Sequence, residues 1–267
     1  MLEGKLKELD SILTDLNSFV VAFSGGVDSS FLLYRAHSIN KLNIMAVMIR
    51  TPYIPLREIR EATEFVRTNK IKYSIIDIEF PQIIENNPPE RCYLCKRALF
   101  EELVSFAGKN NYDHVVDGTN ADDTKDFRPG LRALRELGIR SPLMESGLTK
   151  SDIRESLKKA GLAFWDKPAM ACLLTRIPYG TNISSDMLRM VEQAEDLLFE
   201  KGYPGSRVRI HGDLARIECL TGYLEKLVHD PHKEDIISEM KKIGFRYISL
   251  DLEGYRTGSL NPVNRLP

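Results

Sequence analysis

The sequence predicts an α/β protein: a parallel sheet covered on both faces by helices, followed by a smaller α+β domain. Three observations carry this. Apolar strand patterns and 3.6-period helical patterns alternate from the first residues to Lys167. One apolar run, Val20–Phe23, ends in a glycine turn, Ser24-Gly25-Gly26-Val27-Asp28-Ser29, that opens onto a helical pattern from Ser30. Beyond Lys167 the alternation stops, and a long helix, a hairpin, a second helix and a last strand follow.

Taken in order, Met1–Leu16 is a charged amphipathic segment with Leu2, Leu6, Leu9, Ile12, Leu13 and Leu16 on one face. That pattern is a packing helix and not a signal peptide. Strands are expected over Ser18–Phe23, Asn43–Ile49, Lys72–Ile78 and Asp113–Val116, where short runs are rich in apolar and β-branched residues. Helices are expected over Ser30–Ser38, Leu56–Thr68, Arg91–Ala107, Leu131–Leu137 and Lys150–Ala160. Parallel strands need crossovers, and the intervening helices supply them. Ser184–Lys201 reads as a long helix and Arg207–Cys219 as a hairpin turning near Gly212-Asp213. A helix over Lys233–Ile243 and a strand over Arg246–Leu252 complete the pattern. The join, Phe164–Tyr179, carries Pro168 and Pro178 and reads as an ordered loop facing the first domain. The expected domains are therefore 1–167 and 168–267.

At 267 residues the chain suits one large domain or two smaller ones. Its 43% apolar and 28% charged content is that of an ordinary globular protein. A formal net charge of −1 argues against nucleic acid as a partner, since no large electrostatic footprint is present. No stretch approaches the ~20 apolar residues of a membrane span. A cytoplasmic location follows as the expectation, and with it reduced thiols for the four cysteines.

Ligands of open parallel sheets bind at the carboxyl ends of the strands. The glycine turn lies there. Consecutive backbone N–H groups and a helix N-terminus make a phosphate cradle, and side chains at Gly25 or Gly26 would block close approach of an anion. Ser24 and Ser29 add hydroxyl donors. Asp28 cannot bind phosphate directly, so it acts through Mg²⁺ or holds the loop in shape. The chain has neither a Walker A pattern nor G-x-G-x-x-G. A second polar loop, Asp117-Gly118-Thr119-Asn120-Ala121-Asp122-Asp123, follows the fourth strand and so belongs beside the cradle.

Cys92 and Cys95 form C-x-x-C, and Cys172 lies in A-C-L-L-T-R. Four thiolates would suit structural zinc, whereas three suit an iron–sulfur cluster with one open iron. A thiol-redox pair or plain burial is the alternative. Cys219 falls on the inward phase of its hairpin arm and reads as core. Arg207 and Arg209 share one face of a strand, and with Arg176 they offer the bidentate donors that a phosphate and a carboxylate require.

S-G-G-V-D-S after a first strand resembles the PP-loop ATP pyrophosphatase superfamily, whose domain is adenine nucleotide α-hydrolase-like. Together with N-P-P-E-R-C-Y-L-C-K, D-G-T-N-A-D-D, C-L-L-T-R-I-P-Y-G and R-V-R-I-H-G-D-L-A-R-I-E, it is similar to the LarE family of ATP-dependent sulfur transferases. The resemblance implies an enzyme that adenylates a carboxylate of pyridinium-3,5-biscarboxylic acid mononucleotide and converts it to a thiocarboxylate, for the nickel-pincer nucleotide of lactate racemase. It implies ATP and Mg²⁺ as cofactors and a small-molecule nucleotide substrate. Ser24, Gly25, Gly26, Asp28 and Ser29 would hold pyrophosphate. Met48, Gly118, Thr119 and Asn120 would face the adenylate, with Asp122 or Asp123 near Mg²⁺. Arg176, Arg207 and Arg209 would bind substrate.

In one branch of that family the cysteine matching Cys172 gives up its sulfur. The added Cys92 and Cys95 depart from that branch and favour a [4Fe-4S] cluster on Cys92, Cys95 and Cys172, loaded by sulfide or a sulfur donor. A homo-oligomer is expected. Two other functions fit parts of the pattern: a tRNA thiolase, which would need a basic face, and a non-catalytic adenine-nucleotide sensor.

Overall fold

A computed structural model describes residues 2–124, 130–167 and 171–256. The chain divides into two compact units, 1–84 with 90–170, and 85–89 with 171–267. In the first unit the elements run α1 (Leu2–Leu16), β1 (Ser18–Ala22), α2 (Val27–Ser38), β2 (Asn43–Arg50), α3 (Leu56–Thr68), β3 (Tyr73–Asp77), α4 (Arg91–Lys109), β4 (His114–Val116), α5 (Gly130–Glu136), α6 (Pro142–Glu145) and α7 (Lys150–Lys159). The four strands form one parallel sheet in the order β3-β2-β1-β4.

Alternation along β1 splits the core in two. Phe19 and Val21 pack with Leu9, Leu13, Phe31, Leu32 and Val66 on one side of the sheet. Val20 packs with Phe100, Leu103 and Val115 on the other. Each face is thus buried, as a parallel sheet demands. The Arg35 guanidinium clamps α2 to α1 through both Asp10 oxygens, at 2.6 Å each.

The order of the strands fixes where a ligand can enter. From β1 the chain proceeds to β2 and β3 on one side, then places β4 on the other. The carboxyl ends of β1 and β4 therefore flank the switch point, and both polar loops of the sequence leave from there. Helix α2 begins three residues earlier than the apolar pattern suggests. The Ser30 amide already donates to the Gly26 carbonyl at 2.9 Å, so Asp28 and Ser29 belong to the first helical turn. Short α6 was not legible as a helix, because four residues carry no period.

The second unit contains α8 (Ser185–Glu200), β5 (Arg207–His211), β6 (Leu214–Glu218), α9 (Leu224–Val228), α10 (Lys233–Ile243) and β7 (Tyr247–Leu250). Ser184 caps α8 by accepting from the Met187 amide. β5 and β6 form the expected hairpin around Gly212-Asp213, with Gly212 at φ +61°. β7 joins β6 in parallel, giving the order β5-β6-β7. This sheet is two-faced. Val208, Ile210, Ala215 and Ile217 are buried on one face, in register with Ile248 and Leu250. Arg207, Arg209, Arg216 and Glu218 occupy the other.

Residues 85–89, read from sequence as part of the first domain, pack with the second unit. The Asn87 side-chain amide donates to the Ile177 and Pro178 carbonyls, and the Asn87 main-chain carbonyl accepts from the Gly180 amide. Asn87 is fully buried, so these bonds satisfy groups that water cannot reach. Pro168, in the expected join, lies outside the described residues.

Candidate active site

The loop after β1 is shaped by its own hydroxyls. Ser24 Oγ lies 3.1 Å from Ser29 Oγ, and Ser29 Oγ donates to the Gly26 carbonyl at 3.2 Å. Gly25 has φ +70°, and a Cβ there would stand 2.8 Å from the Ala62 Cβ on α3. Glycine is required on both counts. Asp28 pairs with Lys150 at the start of α7, Nζ to Oδ2 2.6 Å. Lys167 Nζ donates to the Gly25 carbonyl at 3.0 Å and pairs with Glu61 at 2.7 Å. Two ammonium groups thus touch the loop itself. Neither was anticipated, because they sit 122 and 142 residues away in sequence. The only local hint was Thr149, whose capping box with Asp152 marks a helix start.

The loop after β4 approaches the cradle backbone to backbone. A Cβ on Gly118 would lie 2.8 Å from the Ser29 nitrogen. Asp117 organises this loop, accepting from the Thr119 amide and hydroxyl, from Ser141 Oγ at 2.6 Å and from Lys96 at 3.3 Å. Thr119 and Asn120 are buried. Asp123 accepts from the Asn120 amide, and Asp122 from the Lys150 amide at 2.9 Å. The structure thus places Asp122 at the start of α7. Met48 is fully buried in the core at the end of β2, so only its backbone could face a ligand.

Cys92 and Cys95 lie one turn apart at the start of α4, the first exposed and the second half-buried. Cys95 Sγ is 3.2 Å from the hydroxyl of Tyr53, a buried residue that sequence reasoning missed. In the second unit Cys172 sits at the foot of a short 3₁₀ turn, Leu173–Arg176. Thiols such as those of Cys92, Cys95 and Cys172 are the donor chemistry an iron–sulfur cluster takes. Among the described residues, no three His, Cys, Asp or Glu side chains come together as a ready metal group. Cys219 is fully buried, and desolvation pushes its thiol up, as fits a core residue.

The second unit gathers arginines around carboxylates. Arg176 is 2% exposed and forms a two-pronged pair with Glu195, at 2.7 and 2.9 Å. Burial opposes its charge, but Glu195 outweighs that and raises the guanidinium above its ordinary value. Arg176 also donates to the Ala171 and Cys172 carbonyls, fixing the backbone that carries Cys172. Arg209 binds Glu218 at 2.7 Å and donates to the Thr175 carbonyl. Arg207 lies 3.8 Å from Glu195, and Arg216 pairs with Glu218 and Asp251. Among the described residues, four guanidinium groups thus gather around Glu195, Glu218 and Asp251. The sequence reading missed Glu195 and Glu218. Glu195 was detectable, because it falls on the apolar stripe of α8 with Leu188, Val191 and Leu198.

A parallel sheet with a serine–glycine loop at its switch point defines a nucleotide-binding domain of the PP-loop type. Comparison with known proteins narrows this. A family model described as NAD synthase matches residues 7–120. The chain is 33% identical over 263 residues to the pyridinium-3,5-bisthiocarboxylic acid mononucleotide synthase of Lactiplantibacillus plantarum, covering 97% of this chain and 95% of that one. It is 36% identical over 266 residues to an uncharacterized protein of Synechocystis sp., covering 98% and 99%. Among solved structures, NMN synthetase from Francisella tularensis aligns with 63% of this chain and 75% of its own, at 20% identity and a TM-score of 0.49. The chain belongs to the LarE family, that of the L. plantarum synthase, within the PP-loop superfamily.

Proposed function

We propose that the protein is an ATP-dependent sulfur transferase that converts a carboxylate of pyridinium-3,5-biscarboxylic acid mononucleotide to a thiocarboxylate. The observation that carries this is the cradle: Ser24, Gly25, Gly26 and Ser29 around an open helix start, with Gly118 packed against it and Lys150 and Lys167 beside it. Such a site favours pyrophosphate, because its donors are fixed before the ligand arrives. The substrate carboxylate oxygen attacks the α-phosphorus of ATP. The bond to the β-phosphate oxygen breaks, and pyrophosphate leaves with the electron pair. Sulfide then attacks the acyl carbon of the adenylate, the carbon–oxygen bond to AMP breaks, and a thiocarboxylate remains. Adenylation is needed because AMP is a competent leaving group and a carboxylate oxygen is not.

Asp28 would hold Mg²⁺ against the phosphates, since that ion takes oxygen ligands from one or two carboxylates together with phosphate. Asp122 is the weaker candidate, with one oxygen already on the Lys150 amide. Arg207 and Arg209 would bind the substrate phosphate, and Arg176 would orient the Cys172 backbone. Cys92, Cys95 and Cys172 would hold a [4Fe-4S] cluster, which when bound supplies an iron free to carry sulfide.

The reading is tested by incubating anaerobically purified protein with ATP, the pyridinium substrate and sulfide. Pyrophosphate release that depends on the substrate, with more than one thiocarboxylate formed per chain, is expected. Replacing Cys92, Cys95 or Cys172 by alanine should lower iron content and product together, whereas Cys219→Ala keeps both. One turnover with dehydroalanine at Cys172 by intact mass would instead make Cys172 the sulfur donor. Substrate-independent binding of ATP without pyrophosphate release would make the protein a sensor.

Gly118→Ala tests the cradle separately. The new methyl cannot fit 2.8 Å from the Ser29 nitrogen, so the two loops must part. A shift approaching 1 Å is expected to lower pyrophosphate release by roughly 10²-fold. A wild-type rate would mean that this close approach plays no part in the site.

A further inference from the structure

We propose that the groove between α10 and β7 is a docking site for an extended, acidic segment of a partner protein, added as a fourth strand to the second unit's sheet. Among the described residues β7 is the last strand of that sheet, with β6 on one side only. The Tyr247 and Asp251 amides donate to the Asp213 and Ile217 carbonyls across the β6 ladder. Alternation in a parallel pair therefore turns the N–H and C=O groups of Ile248 and Leu250 away from β6, toward the open edge. Natural proteins blunt such edges with a bulge, a proline or a covering helix. β7 has no proline, and a groove of about 400 Å³ runs along it.

The opposite wall is one face of α10. Lys233, Ile236, Ile237 and Lys241 recur there at helical spacing, facing Ile248 and Leu250 across the groove. The floor is apolar, and the charges are of one sign. Among the described residues, Lys233, Lys241 and Arg246 line the groove and no carboxylate does. Among the described residues Lys233 Nζ donates to the Val228 carbonyl, at 3.4 Å, and Arg246 lies over the Tyr247 ring. Lys241 pairs with no described carboxylate.

Those three cations select the occupant. A second copy of this chain would bring the same cations against their images. The chain's own residues 257–267 hold one arginine and no aspartate or glutamate, so they bring no acidic side chain to the groove. A lipid or a nucleotide would meet the positive rim but could not pair with a row of alternating amides and carbonyls. An extended peptide with alternating apolar and acidic side chains satisfies all three features: backbone edge, apolar floor and cationic rim.

The test uses the full chain, a short fluorescent peptide of alternating valine and glutamate, and its valine–lysine counterpart. The acidic peptide is expected to bind and to shift the backbone amide resonances of Ile248 and Leu250. Its counterpart N-methylated at alternate residues should not bind, nor should the lysine peptide. Lys241→Glu with Arg246→Glu should weaken binding by about tenfold or more. The proposal fails if the acidic peptide does not bind, or binds no better than the lysine peptide, or shifts amides elsewhere. It also fails if the groove proves occupied by a second copy, seen as a dimer abolished by the same two substitutions. Binding that appears only after residues 257–267 are removed would likewise overturn it.

Discussion

Lys150→Ala is expected to lower substrate-dependent pyrophosphate release by roughly 10²–10³-fold, the loss typical of removing one preorganised donor to developing charge. Lys150 stands 2.6 Å from Asp28, on the first turn of the helix that ends the cradle. Removing it takes a positive charge from beside the phosphates. The substitution should hardly touch stability, because both side chains are partly exposed, at 33% and 24%, and such pairs contribute about 0–1 kcal/mol. Thermal unfolding separates the two effects: the melting temperature should hold while the rate collapses. The Asp28→Ala, Lys150→Ala double variant should be far less than additive, since both residues act on the same phosphates. A rate near wild type in Lys150→Ala would reduce the pair to a surface tie between α2 and α7.

Glu195→Ala should have the largest effect on stability, a loss of about 3–5 kcal/mol, because it leaves buried positive charge uncompensated. Arg176 and Glu195 are only 2% and 9% exposed. Glu195 also accepts from the Val208 amide at 3.0 Å, so its removal frees a buried backbone donor on β5 as well. Glu195→Gln keeps the shape and part of the hydrogen bonding, and should fall between the two. Urea midpoints of the three proteins decide the order. A wild-type midpoint for Glu195→Ala would show that the arginines find other partners.

The parallel sheet was legible because each strand is a short apolar run and a crossover helix leads on to the next strand. The hairpin was legible for a similar reason, its arms being contiguous and its turn carrying Gly212-Asp213. Pairing of β7 beside β6 was not, since nothing in Tyr247–Leu250 names its neighbour. The candidate site divides in the same way. The cradle serines and glycines declare themselves by local order. Lys150, Lys167 and Tyr53 do not, because a lysine or tyrosine on a helix or loop carries no mark of the group it will meet. The arginines were read as free donors. Their carboxylate partners change that view, since Arg176 spends its donors on Glu195, Thr175 and two carbonyls. Two of those bonds tie Arg176 to the backbone at Ala171 and Cys172.

Glu85–Pro89 also bears on how this protein can be cut and inherited. The second unit is discontinuous in sequence, so no single break in the gene yields it whole. A fragment beginning at Ala171 would lack Asn87 and leave the Ile177 and Pro178 carbonyls without the donors that satisfy them. It would also lose the strap between Glu85 and Ile183. Recombination that exchanges only the tail for a homologous one must therefore match a five-residue insert located far upstream, so the two halves are expected to travel through evolution together rather than as interchangeable parts.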